Sequence, residues 1–161
     1  MKKILFLLLV LLGIAWAATG QTNVSLYRGD LEGSKILIVE PDHWNKNLLI
    51  LAHEYREPDT PLTAEFNYGN PFYGTLLKEG WLIASTSYRQ NGIAYKEGLE
   101  DVGFLRKWVI EKYGQPEKIF LRGASMGGAI ALTLAEKSGK DYSGALCVDP
   151  AIREELGFSA S

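Results

Sequence analysis

Gly123-Ala124-Ser125-Met126-Gly127-Gly128 decides the reading of this chain, because a turn of small residues around one serine stands between a strand-like and a helix-like run. Upstream, Lys118-Ile119-Phe120-Leu121-Arg122 is short, apolar and bounded by Pro116 and Gly123, as expected of a buried strand. Downstream, Ala129 to Lys137 is apolar for two turns and charged at its end, as expected of a helix. A serine at such a strand-to-helix reversal sits in strained backbone, and small residues two positions before and after it relieve the crowding. Gly123 and Gly127 occupy those positions. The helix N-terminus aims free N–H groups and the positive end of its dipole at any oxyanion formed there, and Met126 N–H is the expected donor. Ser125 is therefore the candidate nucleophile for acyl transfer.

Further out, apolar runs alternate with helical patterns. Val24 to Arg28 and Ser34 to Glu40 read as an opening hairpin joined by the turn-rich Gly29 to Gly33. Asn47 to Ala52 and Trp81 to Thr86 are continuous apolar runs of the kind covered on both faces of a sheet. Between them Pro71 must interrupt or restart any helix in Leu62 to Lys78. From Lys96 to Tyr113, Leu99, Val102, Leu105, Trp108 and Val109 share one helical face, with Glu100, Arg106, Lys107 and Glu111 on the other. Ser143 to Val148 reads as a last strand. Strands separated by helices imply crossover connections and a mostly parallel, doubly wound α/β sheet behind the antiparallel hairpin.

The motif and its flanks resemble the α/β-hydrolase superfamily, whose G-x-S-x-G turn forms a nucleophile elbow after the fifth strand. The variant G-x-S-M-G-G is similar to that of many esterases, monoacylglycerol lipases and prolyl-oligopeptidase-like hydrolases. The likeness runs from about Val24 to about Pro150 and is specific at the superfamily level. It implies a secreted serine esterase or peptidase acting on a small-molecule ester or peptide, with no cofactor and no metal. It also implies that Tyr55, in His53-Glu54-Tyr55, supplies the second oxyanion-hole N–H, with His53 bracing that loop rather than acting as base. Glu54 stands where the family usually has glycine, and a positive φ there would cost about 1 kcal/mol or more.

The family's triad runs serine, acid, histidine along the chain. Asp149, after the last strand-like run, is the candidate acid, against the plainer reading that Asp149-Pro150 starts a turn. Both histidines, His43 and His53, precede Ser125. The resemblance thus covers the N-terminal part of such a hydrolase, cut after about its sixth strand, with the base expected elsewhere. The alternative is a non-catalytic fragment or binding module with a vestigial elbow. Tyr88-Arg89-Gln90-Asn91-Gly92 falls on the same rim as Ser125, either as pocket lining in which Arg89 favours an acidic substrate or as an ordinary polar turn.

Composition bounds the rest. With 161 residues, 47% hydrophobic and 22% charged, the chain can bury one core. Met1-Lys2-Lys3, the apolar Ile4 to Ile14 and Ala15-Trp16-Ala17 read as a signal peptide over residues 1–18, leaving 19–161 as the partial hydrolase domain. The run Ile4 to Ala18 is 15 residues long, short of the ~20 that span a bilayer, so no stable membrane anchor is expected after cleavage. A secreted or periplasmic location follows. Loss of Lys2 and Lys3 moves the formal charge from −2 to −4, which leaves no basic face for nucleic acid. Cys147, the only cysteine, has no internal disulfide partner and reads as a small buried hydrophobe. Oligomeric state is not legible.

Overall fold

The structure, a computed structural model, describes residues 23–152. The expected leader at residues 1–18 lies outside them, as does most of the segment after Pro150. The elements are β1 (Val24–Leu31), β2 (Ser34–Pro41), β3 (Asn47–Ala52), α1 (Pro71–Lys78), β4 (Leu82–Thr86), α2 (Tyr95–Tyr113), β5 (Lys118–Ala124), α3 (Ser125–Lys137) and β6 (Gly144–Pro150). They form one six-stranded sheet in the order β1-β2-β4-β3-β5-β6. β1 pairs antiparallel with β2, and β2 antiparallel with β4, while β3 pairs parallel with both β4 and β5, and β5 parallel with β6.

Each boundary has a local cause. The hairpin is tighter than the sequence implied, because Glu32 and Gly33, at φ 48° and 85°, make a two-residue turn and the strands run right up to it. Pro71 starts α1 rather than breaking it. It takes the first helical position, and the Asn70 side chain accepts the Phe72 N–H at 2.9 Å. α2 ends at Gly114, whose φ of 90° carries the chain out of the helix. α3 begins earlier than its apolar run, at Ser125 itself.

The central strands are covered on both faces, which is why they read as unbroken apolar runs. Alternate residues divide between two cores. Ile36, Ile38, Leu48, Ile50, Leu82, Ala84, Ile119 and Leu121 face α2 and α3, where Val102, Leu105, Val109 and Ile130 are buried against them. Leu37, Val39, Leu49, Leu51 and Ile83 face α1 and pack with Leu77, Ala64 and, partly buried, Phe120. Leu99 and Trp108 lie half-buried at the margin of the first core. β6 is one edge of the sheet among the described residues, β1 being the other, and Leu146 and Val148 of β6 are 51% and 45% exposed. Cys147 there is only partly buried, so the fully buried position expected from its apolar neighbours is not what the fold provides.

Candidate active site

Ser125 sits where β5 turns into α3, with φ at 48°. A non-glycine residue in that region costs about 1–3 kcal/mol and persists only when its surroundings hold it there. Three contacts do the holding. A Cβ on Gly123 would lie 2.2 Å from the Gly127 carbonyl oxygen, so β5 and the first turn of α3 touch through bare backbone. A Cβ on Gly127 would lie 2.2 Å from the Ala52 oxygen and 2.6 Å from that of His53, which presses α3 onto the end of β3. On the third side the Ala151 N–H donates to the Ser125 carbonyl at 3.0 Å, and Pro150 bridges to Ser125 beyond the β5–β6 ladder.

The same approach sets the loop after β3 against the start of α3. Met126, 2% exposed, lies in the first helical turn, where backbone N–H groups have no acceptor within the helix. Tyr55 lies in the neighbouring loop with its side chain exposed and its hydroxyl donating to Glu57 at 3.3 Å. Glu54 is not among the residues with positive φ, so the penalty expected for a non-glycine residue there does not arise.

His53 is fixed between two loops. Its Nδ1 lies 2.6 Å from the Glu54 carbonyl oxygen and its Nε2 2.8 Å from that of Ser87. The ring stacks on Tyr88 at 3.8 Å between centroids, and the Tyr88 hydroxyl donates back to the His53 carbonyl at 3.1 Å. Burial lowers the His53 pKa from its ordinary 6.5, outweighing the two carbonyls that favour the charged ring. With both nitrogens turned to carbonyls, neither is placed to take a proton from Ser125. His43 lies in the turn before β3, where its carbonyl crowds Gly80.

Asp149 lies within β6, one residue short of the Ser125–Pro150 bridge, exposed and at φ 44°. It is thus a strand residue rather than the start of a turn, and its carboxylate makes no ion pair among the described residues.

The segment Tyr88 to Gly92 is structural, which corrects its reading as pocket lining. Tyr88 is fully buried at φ 56°, and burial pushes its hydroxyl pKa far above the ordinary value. The Arg89 N–H donates to Asp101 at 2.7 Å, and its guanidinium pairs with both Asp101 and Glu100. Asn91 donates to the Thr60 carbonyl at 2.7 Å, and Gly92 bridges to Arg56. Arg89 is therefore spent on a buried carboxylate and is not available to a substrate.

The cleft next to the serine turn has other walls. About 370 Å³ in volume, it is bounded by Ala124 and Arg122 of β5, Tyr73 of α1, Ser85 of β4, and the loops carrying Tyr55 and Glu65. Sequence reasoning missed Arg122 and Tyr73. The strand alternation that buries Ile119 and Leu121 on one face was the signal that Arg122 shares the other face with Phe120 and Ala124.

No family model matches the sequence, and no curated protein matches it either. Solved structures do. An esterase of Pyrococcus furiosus, Pf2001, superposes with a TM-score of 0.60 at 19% identity over 80% of this chain and 50% of its own. S-formylglutathione hydrolase FrmB of Staphylococcus aureus gives 0.61 at 13% identity over 87% and 65%. Brefeldin A esterase, described as a bacterial homologue of human hormone-sensitive lipase, gives 0.59 at 17% over 88% and 44%. The chain has the α/β-hydrolase fold. It spans roughly half to two-thirds of the length of these structures. Within the hydrolase fold, the turn at Ser125 is the point where the chain leaves the middle of the sheet for a helix, and the close-packed glycines lie there.

Proposed function

We propose that this chain carries the nucleophile and oxyanion hole of a secreted serine hydrolase that cleaves esters through an acyl-enzyme on Ser125. The observation that carries the reading is the φ of 48° at Ser125 on a turn sealed by Gly123 and Gly127, since strain of that kind is maintained where it aims a side chain. Esters are favoured over peptides because the structurally similar proteins include esterases.

In the proposed reaction Ser125 Oγ bonds to the ester carbonyl carbon and the carbonyl electron pair moves onto oxygen. The Met126 and Tyr55 N–H groups receive that oxyanion. Its collapse breaks the C–O bond, the leaving alkoxide takes up the proton released by the serine, and water then hydrolyses the acyl-serine. The proton passes through a base other than His53, whose two ring nitrogens both face carbonyls. Asp149 is retained as the acid that would orient such a base.

The test is a stopped-flow assay with p-nitrophenyl acetate on the chain and on Ser125→Ala. The expected result is slow release of p-nitrophenol that leaves one acetyl group on Ser125 per folded chain, and the variant should show neither. A folded chain that is not acetylated, or release that is unchanged in Ser125→Ala, would make the elbow vestigial and the domain a non-catalytic module.

A further inference from the structure

Two guanidinium groups line the cleft beside Ser125, and no carboxylate among the described residues lies within 4 Å of either. Arg56 is held by the loop it belongs to, donating to the Thr63 carbonyl and, at 3.2 Å, to the Thr63 hydroxyl. Arg122 is held by aromatic groups. It donates to the Tyr73 hydroxyl at 2.9 Å and lies 5.6 Å from the ring centres of both Phe72 and Tyr73. A guanidinium has five N–H donors in a planar fork, and one bond to a phenol leaves most of them unused. The side chain is thus half-buried, fixed in place and electrically uncompensated. That differs from Arg89, which two acids neutralise.

We propose that this cleft selects esters that also bear a carboxylate, with Arg122 gripping the carboxylate while the ester carbonyl lies at Ser125. The proposal rests on the serine-ester reading above. The fork of Arg122 matches a carboxylate bidentately, and its preset position lowers the ordering cost of binding. Arg56 adds positive potential to the same cleft. Glu54 and Glu65 also line the cleft but are exposed, so solvent and salt screen them more than they screen the half-buried arginines. Two residues, Gly123 and Ala124, lie between Arg122 and Ser125, a backbone span of about 10 Å at the rise of a strand, which suits a short diacid half-ester. The cleft volume of about 370 Å³ admits a ligand of that size.

The test is calorimetric titration of the Ser125→Ala chain with monomethyl glutarate and with dimethyl glutarate. The variant prevents turnover, and circular dichroism establishes that each sample is folded. The half-ester is expected to bind about tenfold or more tighter than the neutral diester, the scale of a charge-assisted bidentate contact. Adding Arg122→Gln should abolish that preference, and Arg122→Lys should recover part of it by keeping the charge without the fork. Equal affinity for the two esters, no binding of either by the folded chain, or a preference that survives Arg122→Gln would overturn the proposal. Because the readout is binding, failure of Ser125 to become acetylated strikes the serine reading, while loss of discrimination strikes this one.

Discussion

Replacing Gly127 by alanine tests whether the elbow is held by backbone contact. The added Cβ would meet the Ala52 oxygen at 2.2 Å, the His53 oxygen at 2.6 Å and the Ala52 carbonyl carbon at 2.7 Å. All three are main-chain atoms of β3 and its loop, so no side chain can swing away. The helix itself would prefer alanine by up to about 1 kcal/mol. Overpacking costs about 1–3 kcal/mol where neighbours can adjust, and rigid backbone puts this site at the upper end. We expect a net loss of about 2 kcal/mol, enough to shift the unfolding equilibrium about thirtyfold. Gly103→Ala in α2 is the matched control, because a Cβ there meets nothing within 4 Å and the same propensity gain should stabilise by about 0.5–1 kcal/mol. Urea unfolding at constant m-value separates the two. If Gly127→Ala is as stable as the parent chain, the contact of α3 with β3 is not what maintains the Ser125 backbone, and the account of the elbow fails.

Asp101→Ala should cost about 2 kcal/mol in the same urea assay, because the 0% exposed carboxylate accepts the Arg89 N–H and most of the guanidinium's hydrogen bonds, and only the more exposed Glu100 would remain as a partner. An unchanged midpoint would place the strength of that loop elsewhere. His53 has a folded-state pKa below its ordinary 6.5, so the unfolded chain takes up the proton first as pH falls. Its contribution is complete above about pH 6.5 and is lost as pH drops through the lowered folded value. The urea midpoint should fall across that window, and His53→Gln should flatten the slope. Leu146→Lys on the exposed β6 edge should suppress self-association in sedimentation velocity, since a charge on an edge strand opposes pairing with a second edge. Equal association of variant and parent would exonerate that edge.

The sheet was legible because fully covered strands leave continuous apolar runs, and β3 matches its run residue for residue from Asn47 to Ala52. The amphipathic spacing of Leu99 to Val109 located α2 for the same reason. Boundaries drifted where main-chain geometry overrode hydropathy. β1 extends through Asp30 and Leu31 because a two-residue turn suffices, β2 reaches Pro41 by pairing with Val24, and α3 opens on Ser125 because the turn, not the apolar run, sets its start. The strand-to-helix turn at Ser125 could be read since its glycines are local in sequence. The cleft could not. Arg122, Tyr73 and Ser85 come from three elements brought together by a parallel crossover sheet; strand alternation marks which face Arg122 takes, but nothing in sequence joins it to Tyr73 and Ser85. Arg89 misled for the opposite reason, because its partner Asp101 is twelve residues away on α2 and looks in sequence like one more solvated acid.

Fluorophosphonate labelling followed by intact-mass analysis and peptide mapping bears most directly on whether Ser125 is a built nucleophile. With no base at hand, donors that stabilise the developing charge at the turn should still favour phosphonylation of Ser125 over other hydroxyls, so the reaction is expected to be slow but selective. The account predicts one adduct per folded chain, mapped to Ser125 and absent from Ser125→Ala. Labelling spread over other serines, or a folded chain that takes no label at all, would contradict it.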